Sequence, residues 1–266
     1  MPLFDKIDFL KNITNPVLQW AIFIVVLLIA IVAVFSIIIS IWLSIRYVIY
    51  NRTMNKAGMN GEQAARKILD ANGLEKIRVS VVGSLLFGNS YSHYFKKIRL
   101  RRLTVKKNSI SSLAMGAQKA SLAVLDKEGD KDMKTRIVLT PMIYFGPIAF
   151  VPIILVGVII DIILFQFTGL VTVIAASLGL GFYILSFILS LMVLKTEVKA
   201  QAKALTILEK ENLADEEERD MMKKLFKLYN IQYVNDLILE FLEFVLRILM
   251  IFAKSQSSSS SSSSSN

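Results

Sequence analysis

From Val17 to Ile45 the chain carries no charged residue. A bilayer core roughly 30 Å thick is crossed by about 20 apolar residues in helical form, so this run can span with length left over for tilt. Trp20 and Trp42 lie near its ends, where amphipathic rings favour the membrane–water interface. The run is too long for the apolar core of a signal peptide, and no small-residue cleavage site follows it. A retained membrane anchor is expected, and most soluble folds are excluded.

Three further apolar stretches follow. The second, Ile137 to Phe165, is interrupted by Pro141, Gly146, Pro147 and Pro152, residues that kink a membrane helix. A short link, Gln166 to Gly169, leads into a third stretch ending at Leu194. Its Ala175-x-x-x-Gly179 and Ser177-x-x-x-Gly181 pairs permit close backbone approach, so the two should form a hairpin. In the fourth, Leu228 to Ala253, Asp236, Glu240, Glu243 and Arg247 recur at helical spacing and form a polar stripe on one face. Charges at membrane depth cost several kcal/mol and turn toward protein or water. That helix either spans with its stripe inside the bundle or lies in the interface; spanning is expected. The stripe could line an ion path, but Glu243 and Arg247 are spaced i,i+4 and can pair on their own helix. Asp161, near the outer end of the second stretch, should reach water.

Charge sets the orientation. Residues 52–136 hold 18 Lys and Arg against 7 Asp and Glu, a surplus larger than the whole chain's +10. The positive-inside rule places them in the cytoplasm of a multi-pass cell-membrane protein. Residues 195–227, balanced at 8 of each sign, follow them inside. The densest basic run is Lys96 to Lys107. It reads as a solvated strand face, or as a contact for anionic lipid headgroups at about 1 kcal/mol per basic residue. Without interleaved aromatics or a known motif, nucleic acid is not expected as a partner. The absence of cysteine removes disulfides, thiolate nucleophiles and Cys-ligated metal. A single histidine, His93, removes any two-histidine centre within one chain. The residues offer His93 no partner set.

Between the first two spans, Asn60 with Gln63 forms a capping-box pattern ahead of the apolar stripe Ala64, Ala65, Ile68 and Leu69, and Asn72-Gly73 is a stop signal. Lys76–Val82 and Lys97–Val105 alternate as strands do, the second with an irregularity near Arg102. Asn108-Ser109 caps a helix from Ile110 to Leu125. The order helix, strand, strand, helix makes a small α+β unit. Past the third span, a helix runs from Lys195 to Lys210, and Asp215 caps another whose acidic start and basic end suit the helix dipole. The expected organisation is an N-terminal segment and first span to residue 50, a basic α+β domain over 51–136, a hairpin over 137–194, cytoplasmic helices over 195–227, a last membrane or interfacial helix over 228–254, and from 255 a serine-rich tail, expected to be disordered.

Gly61-Glu-Gln-Ala-Ala-Arg-Lys-Ile-Leu-Asp-Ala-Asn-Gly-Leu74 resembles a helix of the bacterial neutral zinc metallopeptidases of the YugP type, which are membrane proteins. Ser92-His93-Tyr94 is similar to that family's D-H-Y motif, and Ile98-Arg99-Leu100 to the strand after it. Ser109 onward resembles the approach to the family's zinc helix, and Lys195-Thr-Glu197 through Leu205 the segment after its hairpin. Asp215-Glu216-Glu217, Tyr233-Val234 and Arg247 continue in register. The likeness spans residues 45–253. It implies a zincin-like form for the cytoplasmic domain of a membrane α-helical protein with about four transmembrane helices.

The same likeness exposes what is missing. The family's H-E-x-x-H holds zinc between two imidazoles while the Glu activates water. Here Gln118 and Leu122 stand at the histidine positions and Lys119 at the glutamate. Leucine cannot ligate, glutamine is a poor ligand beside imidazole, and a lysine has the wrong charge to activate water. Zinc, the cofactor that the family implies, is therefore not supported, and no catalytic residue is assigned. Glu197 resembles the downstream acidic ligand. It is either an acidic residue favoured by the helix dipole, or a former ligand neutralised by Lys119, whose ammonium would occupy the space left by the metal. The leading expectation is a pseudopeptidase that binds a membrane protein or an unfolded segment. The alternatives are an active membrane peptidase with an altered site, and a transport or lipid-handling component using the fourth helix.

Overall fold

A computed structural model describes residues 13, 15–83, 88–165 and 169–262, and their side chains except at 141–150 and 254–262. It is mostly helical, with one three-stranded sheet. The elements are α1 (Pro16–Arg52), α2 (Gly61–Ala71), β1 (Arg78–Val82), β2 (Ser90–Ser92), β3 (Lys97–Arg101), α3 (Arg102–Lys106), α4 (Ile110–Lys127), α5 (Lys131–Phe165), α6 (Leu170–Lys210) and α7 (Glu216–Ser262). The first twelve residues and most of the link 166–169 lie outside the described residues.

The chain divides into two compact units, one of residues 1–42 and 231–266 and the other of residues 43–230. In the smaller unit, α1 and the later part of α7 run antiparallel. Ile22 is fully buried with Ile13 and Ala253. At the other end Ser40 Oγ donates to Gln232 Oε1 at 3.2 Å. Asp236 accepts from Gln232 Nε2 at 2.6 Å and from Ser36 Oγ at 3.4 Å. A carboxylate on an apolar helix pair thus finds polar partners on its own helix and its neighbour, as low-dielectric surroundings require. Glu243 and Arg247 are both exposed and form no ion pair with one another. Their spacing permits contact, but an exposed pair gains little against the rotamer freedom it would lose.

The larger unit is built around α4. Every residue from Ile110 to Leu125 is buried, which marks a helix packed on all sides. Its closest neighbour is α2, whose capping box at Asn60 and Gln63 forms as the sequence implies. The two helices meet glycine to glycine. A Cβ on Gly116 would lie 2.1 Å from the Gly61 carbonyl oxygen, so no side chain fits there. Ala64, Ala65, Ile68 and Leu69 of α2 join Leu113, Ala117 and Ala120 in one core. Gly73 ends this segment in the left-handed region, with φ of +64°, where a side chain is disfavoured.

The sheet has strand order β1-β3-β2, with β1 parallel and β2 antiparallel to β3. Ile98 and Leu100 of β3 are fully buried. Two expectations are corrected. β2 adds a third strand to the two expected, and β3 stops at Arg101, where the backbone turns into α3. Thr104 of that helix is buried against Gly61, where its methyl would lie only 2.6 Å from any Cβ added to the glycine. Continuing the strand to Val105 would forgo that packing.

Helices α5 and α6 form a hairpin. The backbone of α5 is helical through Pro141, Gly146, Pro147 and Pro152. Gly157 lies against Ala175, 2.4 Å from where a Cβ would be. Asp161 is fully buried, not exposed to water: its Oδ2 accepts from the Thr172 backbone N–H at 3.1 Å and hydroxyl at 2.9 Å. The short link brings the Thr172 N–H, in the open first turn of α6, to this carboxylate, which satisfies it. On the polar side of the hairpin, Lys195, Lys199 and Lys203 lie one turn apart on α6 and pair with Asp132, Asp130 and Glu128 at the α4–α5 junction.

Two helices, α1 and α6, are long and apolar enough to cross a membrane. Only 11% of the most apolar window of α1 is buried in the chain, where the core helix of a soluble protein would be largely covered. Val151–Phe165 of α5 is a shorter apolar helix, and α7 does not reach the same length of uninterrupted apolar sequence. Among the described residues two spans are clear, and α5 and α7 are not counted with them. The reason for α7 is the stripe Asp236, Glu240, Glu243 and Arg247, which lowers its hydropathy along its whole middle. α7 also begins in the capping pair Asp215 and Glu218 and continues unbroken into the serine tract, to Ser262. A helix already nucleated propagates through serines at a few tenths of a kcal/mol each; residues 263–266 lie outside the described residues.

Candidate functional site

Lys119 is an anomaly that the core around it must answer. It lies midway along α4, only 8% exposed, among residues that are small or apolar. A buried ammonium without a partner would be driven to lose its charge. The partner is Glu197 of α6, just past the apolar stretch: Lys119 Nζ lies 2.9 Å from Glu197 Oε2. Gln118 Nε2 donates to the same oxygen at 2.8 Å. Arg136 of α5 holds the other, with Nη2 2.6 Å from Glu197 Oε1. One carboxylate therefore joins three helices, and both its oxygens are occupied.

Leu122, one turn further along α4, is fully buried with Leu125, Met133 and Ala200, with Tyr91 and Ile137 against them. Gln118 and Leu122 thus present an amide already bonded to Glu197 and an alkyl side chain in an apolar cluster. Zinc does not fit this donor set. It would find one carboxylate, one amide and no imidazole, and two cations would have to leave. Among the described residues, no three of His, Asp and Glu converge elsewhere as metal ligands.

Electrostatics follow from the geometry. Burial pushes the Glu197 carboxyl up, but the Lys119 and Arg136 charges, with their hydrogen bonds, outweigh it and hold the group down to about 2 from an ordinary 4.5. Because the folded value is depressed, the stabilisation is complete above the unfolded value and disappears as pH falls from about 4.5 toward about 2; the difference is worth about 3 kcal/mol. Denaturation midpoints in detergent should drop through that window. In Glu197→Gln the drop should be shallower, and equal slopes for the two proteins would remove the assignment.

A second polar cluster flanks Leu122. His93 Nδ1 and the Tyr91 hydroxyl both lie 2.6 Å from Asp126 Oδ2. A carboxylate can only accept, so Nδ1 carries the proton. Burial, and then Asp126, push the Tyr91 phenol up. No partner for His93 was legible in the sequence; the structure supplies one. Asp126 had a legible signal, since it continues the i,i+4 row of Gln118 and Leu122. Arg136 had none beyond its place one residue ahead of an apolar stretch. The stripe residues Asp236, Glu240, Glu243 and Arg247 belong to the smaller unit, away in sequence from α4.

Comparison with known proteins gives one match. Residues 24–253 match the family described as "Putative neutral zinc metallopeptidase". No curated protein and no solved structure matches the chain.

Proposed function

Because the chain belongs to that metallopeptidase family, we propose that it is a pseudopeptidase: a multi-pass membrane protein whose zincin-like domain faces the cytoplasm and binds a membrane protein or an unfolded segment. One observation carries the reading. Glu197, at the position resembling the family's acidic ligand, has its oxygens taken by Lys119, Gln118 and Arg136. In this reading the lysine ammonium supplies the positive charge that a metal would otherwise bring, so the helices α4, α5 and α6 stay joined without it. A fixed ammonium cannot polarise a water molecule as a Lewis acid does, and no side chain of the cluster is a free base. Hydrolysis is lost while the architecture that positions a polypeptide beside the membrane is kept. α5 and α7 complete the four spans in this reading.

The test uses the full chain in detergent. After exposure to zinc and dialysis it should retain far less than stoichiometric metal and leave casein uncut. Affinity capture from detergent extracts should return the same membrane protein in independent preparations. Stoichiometric zinc together with proteolysis that Glu197→Ala abolishes would overturn the reading in favour of an enzyme. Capture of no reproducible partner would overturn the binding role.

A further inference from the structure

Uncompensated charge in the larger unit is concentrated at one strand and the turns beside it. Lys195, Lys199 and Lys203 of α6 each meet a carboxylate. By contrast, Lys96, Lys97, Arg99, Arg102, Lys106 and Lys107 form no ion pair among the described residues. The strand β3 alternates: Ile98 and Leu100 enter the core, so Lys97, Arg99 and Arg101 stand on the other face. Register adds to this face from both neighbours. Arg78 lies opposite Lys97, and Ser80 and Ser90 lie opposite Arg99, while Ser92 flanks Lys97. Among the described residues, the result is a sheet face of four cations and three hydroxyls with no carboxylate.

Both ends of this strand are fixed beside places where apolar helices end. Ahead of β3, the turn His93–Lys96 presents Tyr94 and Phe95, 68% and 67% exposed. The Tyr94 hydroxyl donates at 3.4 Å to the carbonyl of Ile137, the first residue of the apolar stretch of α5. At the other end, Arg101 is within electrostatic reach of Tyr47, two residues past the uncharged run of α1. In the membrane-spanning reading, the strand is therefore bracketed by residues near the ends of two apolar stretches, Ile137 and Tyr47.

We propose that this face of the sheet docks on anionic phospholipid headgroups, with Phe95 dipping into the interface. The proposal rests on the membrane-spanning reading above. Guanidinium groups bind phosphate oxygens in bidentate fashion, the serine hydroxyls can donate to the same oxygens, and polybasic surfaces are drawn to an anionic leaflet. Single-stranded nucleic acid suits the face less well. Its bases need aromatic platforms among the cations, and here Tyr94 and Phe95 sit in the turn beyond the strand.

The full chain is reconstituted in vesicles of phosphatidylcholine containing an equal small fraction of either phosphatidylglycerol or phosphatidylcholine brominated high on the acyl chain. Trp20 and Trp42 of the parent report insertion and should be quenched by both lipids; if they are not, the spanning reading fails on its own terms. Phe95→Trp, in a Trp20→Phe/Trp42→Phe background, should be quenched about twofold more by the brominated phosphatidylglycerol. Lys97→Glu/Arg99→Glu should make the two lipids equal, with Lys97→Gln/Arg99→Gln intermediate should the reversal not insert. Equal quenching before the charge change, or no quenching of the introduced indole, overturns the proposal. So does salt-sensitive retention of a fluorescent single-stranded RNA that the same charge change removes without any lipid preference.

Discussion

Truncating Glu197 to alanine is expected to cost about 3–5 kcal/mol of folding free energy, the range for breaking a buried pair by removing one partner. The loss exceeds that of an ordinary surface ion pair because both cations stay behind. Among the described residues Lys119, buried on α4, has only Glu197 as its counter-ion, and Arg136 already has one buried nitrogen, Nη1, without a hydrogen-bond partner. Removing the carboxylate leaves two positive charges facing one another in a low-dielectric setting, where repulsion is weakly screened. Lys119→Met should cost less, since Glu197 would keep Arg136 and Gln118. The double variant Lys119→Met/Glu197→Ala should then be more stable than Glu197→Ala alone, because the stranded ammonium is gone. Urea midpoints of the detergent-solubilised proteins decide the matter. A Glu197→Ala protein within about 1 kcal/mol of the parent, or a double variant no better than the single, would falsify the view that this carboxylate holds three helices by charge.

What could be read in advance divides along the range of the interactions. Local signals were sufficient for α2: Asn60 and Gln63 are three residues apart and cap one another, and Gly73 takes the left-handed conformation next to the helix end. They were sufficient too for the start of α4, where Ser109 accepts from the Ser112 N–H. β2 escaped because Ser90-Tyr91-Ser92 is too short to show a period, and only its pairing with β3 makes it a strand. The end of β3 depended on Thr104 meeting Gly61, more than forty positions away in sequence. The site behaves in the same way. Lys119 and Glu197 were both singled out by resemblance, and the charge on one gives the other reason to meet it in a buried setting. Arg136 carried no such mark. A basic residue ahead of an apolar stretch is what topology alone would place there, and its second role emerges only when the α5–α6 hairpin brings it to Glu197. The number of spans is open in the sequence for a related reason: whether a polar-striped helix crosses depends on which neighbours meet the stripe, and Asp236 shows that a partner helix can supply one.

If the cluster is a former metal site held closed by a lysine, restoring the ligands should reopen it. Gln118→His/Lys119→Glu/Leu122→His rebuilds the H-E-x-x-H pattern on one face of α4 and removes the ammonium from Glu197. The triple variant is expected to take up stoichiometric zinc with an affinity tighter than about micromolar, against no measurable binding by the parent; zinc centres assembled from such donors reach about 10–16 kcal/mol in small folded peptides. Two features of the structure shape the result. An imidazole at position 122 would enter the apolar cluster of Leu125, Met133 and Ala200, which is costly while its nitrogens are unsatisfied. The metal-free variant should therefore melt below the parent, and zinc should raise its midpoint by mass action. Arg136 would still compete for Glu197 Oε1, so adding Arg136→Leu should tighten binding further. Calorimetric titration with zinc reads both effects. Variants that fold but bind no zinc, with or without Arg136, would mean that Gln118, Leu122 and Glu197 do not surround a common point, and the pseudopeptidase reading would lose its geometric basis.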